Sequence, residues 1–310
     1  MRRFQVAVIL INYNSSSYTL DCLRSIEQQT ARSLRFQIII VDNNSSLDEF
    51  RKLDVLRTKD NVKIVRSRIN LGFSGGNMMG VQHADADYYY FLNNDCVLLN
   101  DCLSIFYRLM EVSQDVANCS GEMFIANGEY EYNFRYFPSL ALKLVGSGLL
   151  RLFNPAGFPK RQIRMQAPTP VDLVNGSSMF IRALPFEHIG GFDTVYFLYC
   201  EEEDIALRLK RAGYATVLVP EAKYQHFVSR STNAEGPVKL LFLKEFYISF
   251  LYYFNKNYSF GYRLLMQIFC FFKVGRKFYR NLDYARLAWF IAGGAPLKHS
   301  LRFSQKVSDR

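Results

Sequence analysis

Short apolar runs alternate with segments of helical spacing through the first half of the chain. Residues 6–11, 36–41, 62–65 and 88–92 are β-branched or aromatic runs of strand length, whereas 18–29 and 47–56 show amphipathic helical periodicity. Between the third and fourth runs, Asn70-Leu71-Gly72-Phe73-Ser74-Gly75-Gly76-Asn77 opens a further helix. This rhythm predicts an α/β fold with a mostly parallel sheet and helices on its faces. Three of the predicted strands end in polar tripeptides, Asn12-Tyr13-Asn14, Asp42-Asn43-Asn44 and Asn93-Asn94-Asp95. Ligands of open α/β sheets bind outside the carboxyl ends of the strands, so the three tripeptides are expected to meet at one crevice.

From about residue 127 to 170 the pattern dissolves into aromatic, Gly- and Pro-containing sequence with a basic stretch at Lys160, Arg161 and Arg164. It reads as a long excursion from the sheet of the kind that shapes an acceptor site. Regularity returns at 171–182, followed by a short helix at 185–189, Gly190-Gly191-Phe192-Asp193, and a helix from about 202 to 212 stopped by Gly213. From residue 238 onward the composition shifts to Leu, Phe, Tyr and Lys in helical stretches. A membrane span needs about 20 consecutive apolar residues. Lys244, Glu245, Lys256 and Arg263 interrupt these runs, which favours helices lying in a membrane interface, with packing on the rest of the chain or on a second subunit as the alternative.

With 310 residues and 49% hydrophobic content, the chain can bury a full core, which argues against disorder. A formal charge of +10 and a pI near 9.2 suit a polyanionic partner: nucleic acid, an anionic membrane or a phosphate-bearing substrate. Nucleic acid is disfavoured, since no basic recognition helix or aromatic ribonucleoprotein motif occurs. The six cysteines, Cys22, Cys96, Cys102, Cys119, Cys200 and Cys270, form no Cys-x-x-Cys pair and read as buried thiols of a reducing compartment. The N-terminal apolar run is short and lacks a small-residue cleavage site, so no secretion signal is expected.

Asp42 stands where an apolar strand opens and can accept a hydrogen bond from a nucleobase or ribose, or cap a turn with Ser45 and Ser46. The glycines at 72, 75 and 76 can bring backbone amides close to a nucleotide, but they match neither the dinucleotide fingerprint nor the P-loop. Asp95 offers a hard oxygen for Mg²⁺ or Mn²⁺ shared with a diphosphate, or serves as a turn residue. Glu201-Glu202-Glu203-Asp204 exceeds what complementing a helix dipole requires, so one carboxylate is a candidate general base. His226 is the imidazole to pair with Asp95 on a metal, against a purely structural role.

In order, residues 8–14, 40–46, 70–77 and 92–95, and Gly190-Gly191-Phe192-Asp193 with the acidic helix after it, resemble glycosyltransferase family 2, and within it the bacterial rhamnosyltransferase branch. The resemblance covers about residues 4–235 and implies a GT-A fold. It divides the chain into a catalytic domain at 1–237, with a nucleotide-sugar half at about 1–126 and an acceptor half at about 127–237, and a membrane-associating helical region at 238–310. It implies inverting transfer from a nucleotide-diphospho-sugar, with dTDP-rhamnose the favoured donor, to a lipid-linked oligosaccharide of surface polysaccharide or O-antigen synthesis. The enzyme would be peripheral on the inner face of the plasma membrane, its oligomeric state left open.

By the same resemblance, Asn12, Asn14, Asp42, Asn70, Gly72, Gly75, Asn93 and Asn94 contact the nucleotide-sugar. Asp95 is the metal-binding end of the family's Asp-x-Asp element, in which Asn93 replaces the first aspartate. Glu202 falls at the base position with Glu201 as the alternative, because the family often has Asp where this chain has Glu202. His226, with Ser229 and Arg230, matches the segment that closes over the diphosphate and helps hold Mg²⁺ or Mn²⁺. A nucleotidyltransferase would need a basic phosphate loop where Asn12-Tyr13-Asn14-Ser15-Ser16 stands. A non-catalytic membrane-surface assembly protein would leave the convergent polar strand ends unexplained.

Overall fold

The computed structural model describes residues 2–227 and 236–307, with side chains of the second segment described from residue 239. Strand β1 (Phe4–Asn12) leads into α1 (Ser16–Gln29), then β2 (Phe36–Asp42), α2 (Leu47–Arg51), β3 (Val62–Arg66), α3 (Gly72–Val81) and β4 (Ala86–Asn93). The predicted helix at 47–56 divides into α2 and a 3₁₀ turn, Lys52–Leu56. Strand β5 (Cys96–Leu98), α4 (Cys102–Val112) and β6 (Val116–Ile125) follow. The excursion then contributes β7 (Tyr130–Glu131), β8 (Phe134–Arg135), α5 (Leu140–Phe153), β9 (Thr169–Val171) and β10 (Leu173–Val174). Next come β11 (Ser178–Arg182), α6 (Ala183–His188), α7 (Glu201–Arg211) and β12 (Ala215–His226), followed by α8 (Gly236–Asn257), α9 (Phe260–Gly275) and α10 (Leu282–Ala292).

The main sheet runs β3-β2-β1-β4-β11-β6-β12-β5. The first four strands are parallel, β11 is inserted antiparallel, and β6 and β12 are parallel to each other. Because side chains alternate along a strand, β1 feeds two cores: Val6, Val8 and Leu10 pack toward α1 and α4, and Ala7 and Ile9 pack toward α3 and α6. Close approach of α3 to β1 depends on Gly80, where an added Cβ would lie 2.5 Å from Ile9 Cγ2.

Register sets the crevice. Asn12 pairs with Asp42 and Ile11 with Asn93, so the ends of β2, β1 and β4 lie side by side. At the far edge β12 pairs antiparallel with β5, His226 opposite Cys96, which returns the histidine to the end of β4.

Helices α8, α9 and α10 form their own apolar cluster, joined by Tyr196 and Cys200 at the entrance to α7. Lys256 pairs with Asp193 and Asp204 at 2.8 and 3.0 Å, and Asn257 donates to Asp204. These contacts fix the C-terminal helices to the acidic helix. Among the described residues no helix is long and apolar enough to cross a membrane.

Candidate active site

At the ends of β1 and β2 lies a buried polar knot. Asn12 donates to Asp42 Oδ1 at 2.8 Å, to Ser45 Oγ at 3.1 Å and to Ser16 Oγ at 3.2 Å, while accepting from Thr19 Oγ1. Its side chain is fully buried, so the structure places Asn12 behind the crevice, where it positions Asp42. Asp42 is buried too, with Oδ2 3.4 Å from Arg66 Nε and accepting from the Ser45 N–H. Asn14, at φ 51°, accepts from the Ser46 N–H.

Asn43, which the motif reading left without a role of its own, organises the glycine loop. It donates to Asn70 Oδ1 and the Gly72 carbonyl, and accepts from the Leu71 N–H. Asn70 in turn accepts from the Gly72 N–H at 2.8 Å. Gly72 has φ +71°, and a Cβ there would lie 2.2 Å from the Phe197 carbonyl oxygen, so the loop tolerates no side chain without moving. Gly75 is tight against its own helix entrance, with a Cβ meeting Leu71 Cβ at 2.9 Å.

At the end of β4, Asn93 donates its N–H to the Ser177 carbonyl, and Asn94 donates to Ser15 Oγ and Thr19 Oγ1 at 2.8 Å each. Asp95 is buried, with Oδ1 3.2 Å from His226 Nε2 and Oδ2 without a hydrogen-bond partner among the described residues. Donor atoms of Asp95, Cys96 and His226 lie within 4.8 Å of one another. An orphaned carboxylate oxygen beside an imidazole fits a hard divalent cation such as Mg²⁺ or Mn²⁺. Burial, reinforced by Asp95, raises the Cys96 thiol well above its ordinary range, and its Sγ donates to the Ser177 carbonyl. A hard cation such as Mg²⁺ or Mn²⁺ prefers the carboxylate oxygen and imidazole to this soft sulfur, whose Sγ is already engaged by the Ser177 carbonyl. Arg230, with Ser229, lies outside the described residues.

The acidic corner is built on strain and one arginine. Tyr199 and Cys200 both have positive φ, 70° and 65°, immediately before α7. For non-glycine residues such backbone costs on the order of 1 kcal/mol each. The distortion turns Cys200 into the C-terminal cluster and starts the helix at Glu201. Arg135 of β8 donates to Glu202 Oε1 and lies 3.0 Å from Glu203 Oε1. Burial opposes its charge, yet Glu203 and Glu202 together raise its pKa. Each of Glu201, Glu202 and Glu203 keeps a buried Oε2 without a hydrogen-bond partner among the described residues.

Burial pushes Glu203 up to about 7, Glu202 adding to the rise and Arg135 resisting it. Glu201 is raised well above its ordinary range by burial and then by Glu202. Asp204 belongs to the scaffold, bound by Arg208, Lys256, Asn257 and Tyr196. The two corners meet across the turn between β10 and β11. A Cβ on Gly176 would sit 3.7 Å from Glu202 Oε1, and the next residue, Ser177, accepts from Asn93. Arg135 and this turn escaped the sequence reading; the available signal was Asn175-Gly176-Ser177-Ser178, a turn composition at the start of a strand.

A curled, largely parallel sheet with an aspartate at its carboxyl edge and an acidic helix opposite defines a GT-A glycosyltransferase. The solved structure of S. aureus TarS 1-349 in complex with UDP-GlcNAc superposes with a TM-score of 0.54 at 16% identity, over 89% of this chain and 73% of that one. GalNAc-T7 with UDP, GalNAc and Mn²⁺ gives 0.58 at 14% identity, over 78% of this chain and 47% of that one. At these identities the likeness is one of fold.

The family model for glycosyl transferase family 2 matches residues 7–185. Rhamnosyltransferase WbbL of Escherichia coli K12 is 31% identical over 244 residues, spanning 74% of this chain and 86% of that protein. An N-acetylglucosaminyl-diphospho-decaprenol L-rhamnosyltransferase of Mycobacterium tuberculosis is 37% identical over 83 residues, 26% of this chain and 27% of its own length. The chain belongs to glycosyl transferase family 2 and is a glycosyltransferase.

Proposed function

We propose that this enzyme transfers a sugar, L-rhamnose from dTDP-rhamnose, to a hydroxyl of a lipid-linked saccharide with inversion, in bacterial surface polysaccharide or O-antigen synthesis. The observation that carries the reading is the opposition of two corners across one turn, Asp95 with His226 on one side and Glu201 to Glu203 on the other. The rhamnosyltransferase relatives support the sugar, and the decaprenol named for the mycobacterial relative supports a lipid-linked acceptor.

Asp95 and His226 would hold Mg²⁺ or Mn²⁺, and such an ion would supply positive charge to stabilise the departing diphosphate. Asp42, set by Asn12 and Ser45, faces the base or ribose, and the loop pinned by Asn43 carries the nucleotide-sugar over the strand ends. Asn14, Asn70, Gly72, Gly75, Asn93 and Asn94 shape that half, and Arg230 assists the diphosphate. Glu202 takes the proton of the acceptor hydroxyl as its oxygen bonds to the anomeric carbon and the bond to the diphosphate breaks on the opposite face. A single displacement of this kind inverts the centre. Glu201, the alternative base, is buried, and burial with Glu202 beside it raises its carboxyl well above its ordinary range. Work takes place at the inner membrane surface, with the C-terminal helices in contact with lipid.

A panel of nucleotide sugars, including dTDP-rhamnose, tested with and without Mg²⁺ or Mn²⁺ on the parent, Asp95→Ala, Glu202→Gln and Glu201→Gln decides the reading. Metal-dependent binding is expected to vanish in Asp95→Ala, and turnover without loss of binding in Glu202→Gln. Absence of binding by every nucleotide sugar would overturn it.

A further inference from the structure

Helix α5 carries the sequence LALKLVGSGLLRLF, and none of its residues is buried. Leu144, Leu149, Leu152 and Phe153 stand open to solvent, Phe153 at 83% exposure. Water is a poor environment for such a helix, and a contiguous apolar surface of this kind marks an interaction site. Helix α5 begins five residues after Arg135, and it is tied to the C-terminal helices where the Leu140 N–H donates to Tyr262 Oη at 2.8 Å. The backbone breaks at Gly146, at φ 78° and ψ 162°, so the element is two short helical pieces that can be set at an angle to each other.

Beyond Tyr262, α9 presents Phe260, Leu264, Ile268 and Phe272 at four-residue intervals, all exposed. Phe272 leads through Phe271, at 5.1 Å between ring centroids, to Trp289 of α10, at 6.0 Å from Phe271. The connection between α9 and α10 adds exposed Phe278, Tyr279 and Leu282. Charge marks the occupant. Every charged residue from 132 to 171 is Lys or Arg; Arg135 and Arg164 are neutralised by glutamates, but Lys143, Arg151, Lys160 and Arg161 have no carboxylate partner among the described residues. Arg276, Lys277 and Arg280 flank the aromatic turn, where Asp283, paired with Arg286, is the sole acid between 258 and 307. Apolar side chains interleaved with cations, on helices too short or too polar to span, are the composition of an interfacial surface on anionic lipid.

We propose that α5 and the exposed rim of α9 and α10 together form the face on which the enzyme sits on an anionic bilayer, with α5 as a lipid-embedded element of the acceptor half. The placement rests on the lipid-linked acceptor proposed above for its purpose: with α5 in the interface, Arg135 and Glu202 lie next to the headgroup layer where such an acceptor's saccharide emerges. It extends the membrane face beyond the C-terminal helices into the catalytic half.

Trp289 is the single tryptophan of the chain and is 71% exposed, which makes it a native reporter. The full chain is mixed with vesicles of phosphatidylcholine alone or with phosphatidylglycerol, following co-sedimentation and Trp289 emission. The triple variant Leu149→Glu, Leu152→Glu, Phe153→Glu is compared with Val112→Glu, an equally exposed site on α4. The expected result is salt-sensitive binding of the parent to anionic vesicles with a blue shift, at least tenfold weaker partition for the triple variant, and parental behaviour for Val112→Glu. Nucleotide-sugar binding by the triple variant serves as its folding control.

Parental partition by a folded triple variant would overturn the role of α5. Absence of vesicle binding by the parent, or affinity only for a detergent-solubilised polyprenyl phosphate, would overturn the bilayer as occupant. Vesicle binding as expected with no nucleotide-sugar bound would instead remove the proposed reaction and leave the membrane face standing.

Discussion

Substituting Arg135 by methionine keeps a long unbranched side chain and removes the guanidinium that pairs with Glu202 and Glu203. Two unit charges 3 to 4 Å apart interact by about 4–5 kcal/mol at an effective dielectric near 20. Arg135 is 38% exposed against 13% for Glu202 and 11% for Glu203, so solvent screening reduces this to roughly 2 kcal/mol. That energy corresponds to about thirtyfold in an equilibrium or a rate. Without the cation the glutamate trio binds a proton at higher pH and the base is less available. In Arg135→Met the acidic limb of the pH–rate profile is expected to move up by about 1.5 units, with kcat about thirtyfold lower at any given pH on that limb. Donor affinity should hold, since Asp95 and His226 are on the other corner.

The assay is initial rate against pH, with donor affinity measured separately by calorimetry. Arg135→Lys retains the charge but loses the fork that reaches two carboxylates, so it should recover part of the rate. Turnover of Arg135→Met within twofold of the parent, with an unmoved acidic limb, would refute the assignment of Arg135 as the residue that sets the base. An equal loss of donor affinity and rate would refute it too, by placing the effect on the fold.

Gly72→Ala combines left-handed backbone with a Cβ 2.2 Å from the Phe197 carbonyl oxygen, and should destabilise by about 3 kcal/mol or more in thermal or urea unfolding. The folded-state value of about 7 for Glu203 lies above its ordinary 4.5, so its contribution to stability is complete below about 4.5 and is lost as pH rises through 7. Denaturant titrations should accordingly show stability declining with pH in that window, by at most about 1.4 kcal/mol per unit for this group, and Glu203→Gln should flatten the slope. Asp95→Asn and His226→Gln should each abolish the part of nucleotide-sugar affinity that depends on Mg²⁺ or Mn²⁺, read as binding with and without chelator, while leaving the melting temperature of the metal-free protein unchanged or raised.

The crevice was legible because period-two patterning sets both the strands and where each one ends. Asn12, Asp42 and Asn93 follow apolar runs directly, and parallel pairing places strand ends in line. What a tripeptide does after reaching the edge was not legible: Asn12 and Asn43 look alike in sequence, yet one anchors Asp42 and the other pins the glycine loop. His226 depended on the β5–β12 register, a pairing across more than a hundred residues that local pattern does not encode. Arg135 sits in a two-residue strand and meets Glu202 67 positions later, so neither periodicity nor a motif announces it. Helix α5 was hidden for a different reason: Gly146 and Gly148 interrupt its Leu-rich run, so two short helical pieces read as loop.

The C-terminal helices cannot be treated as a detachable anchor. Lys256 stands between Asp193 and Asp204, Asn257 donates to Asp204, and Tyr196 and Cys200 pack into the helical cluster, so α8 braces the first turn of α7. Removing residues 238–310 would withdraw the proposed lipid contacts and this brace together, and loss of activity would not separate them. Lys256→Met does. Severing a buried ion pair costs about 3–5 kcal/mol when nothing else holds the carboxylate. Asp204 keeps Arg208 and Asn257, so about 1–2 kcal/mol is expected here, with looser presentation of Glu202. Turnover should therefore fall severalfold while partition to anionic vesicles stays at the parental level, because Lys256 lies at the α7 contact and not on the exposed α9 stripe. A variant that lost vesicle binding in step with activity would show that the brace and the membrane face are one mechanical unit.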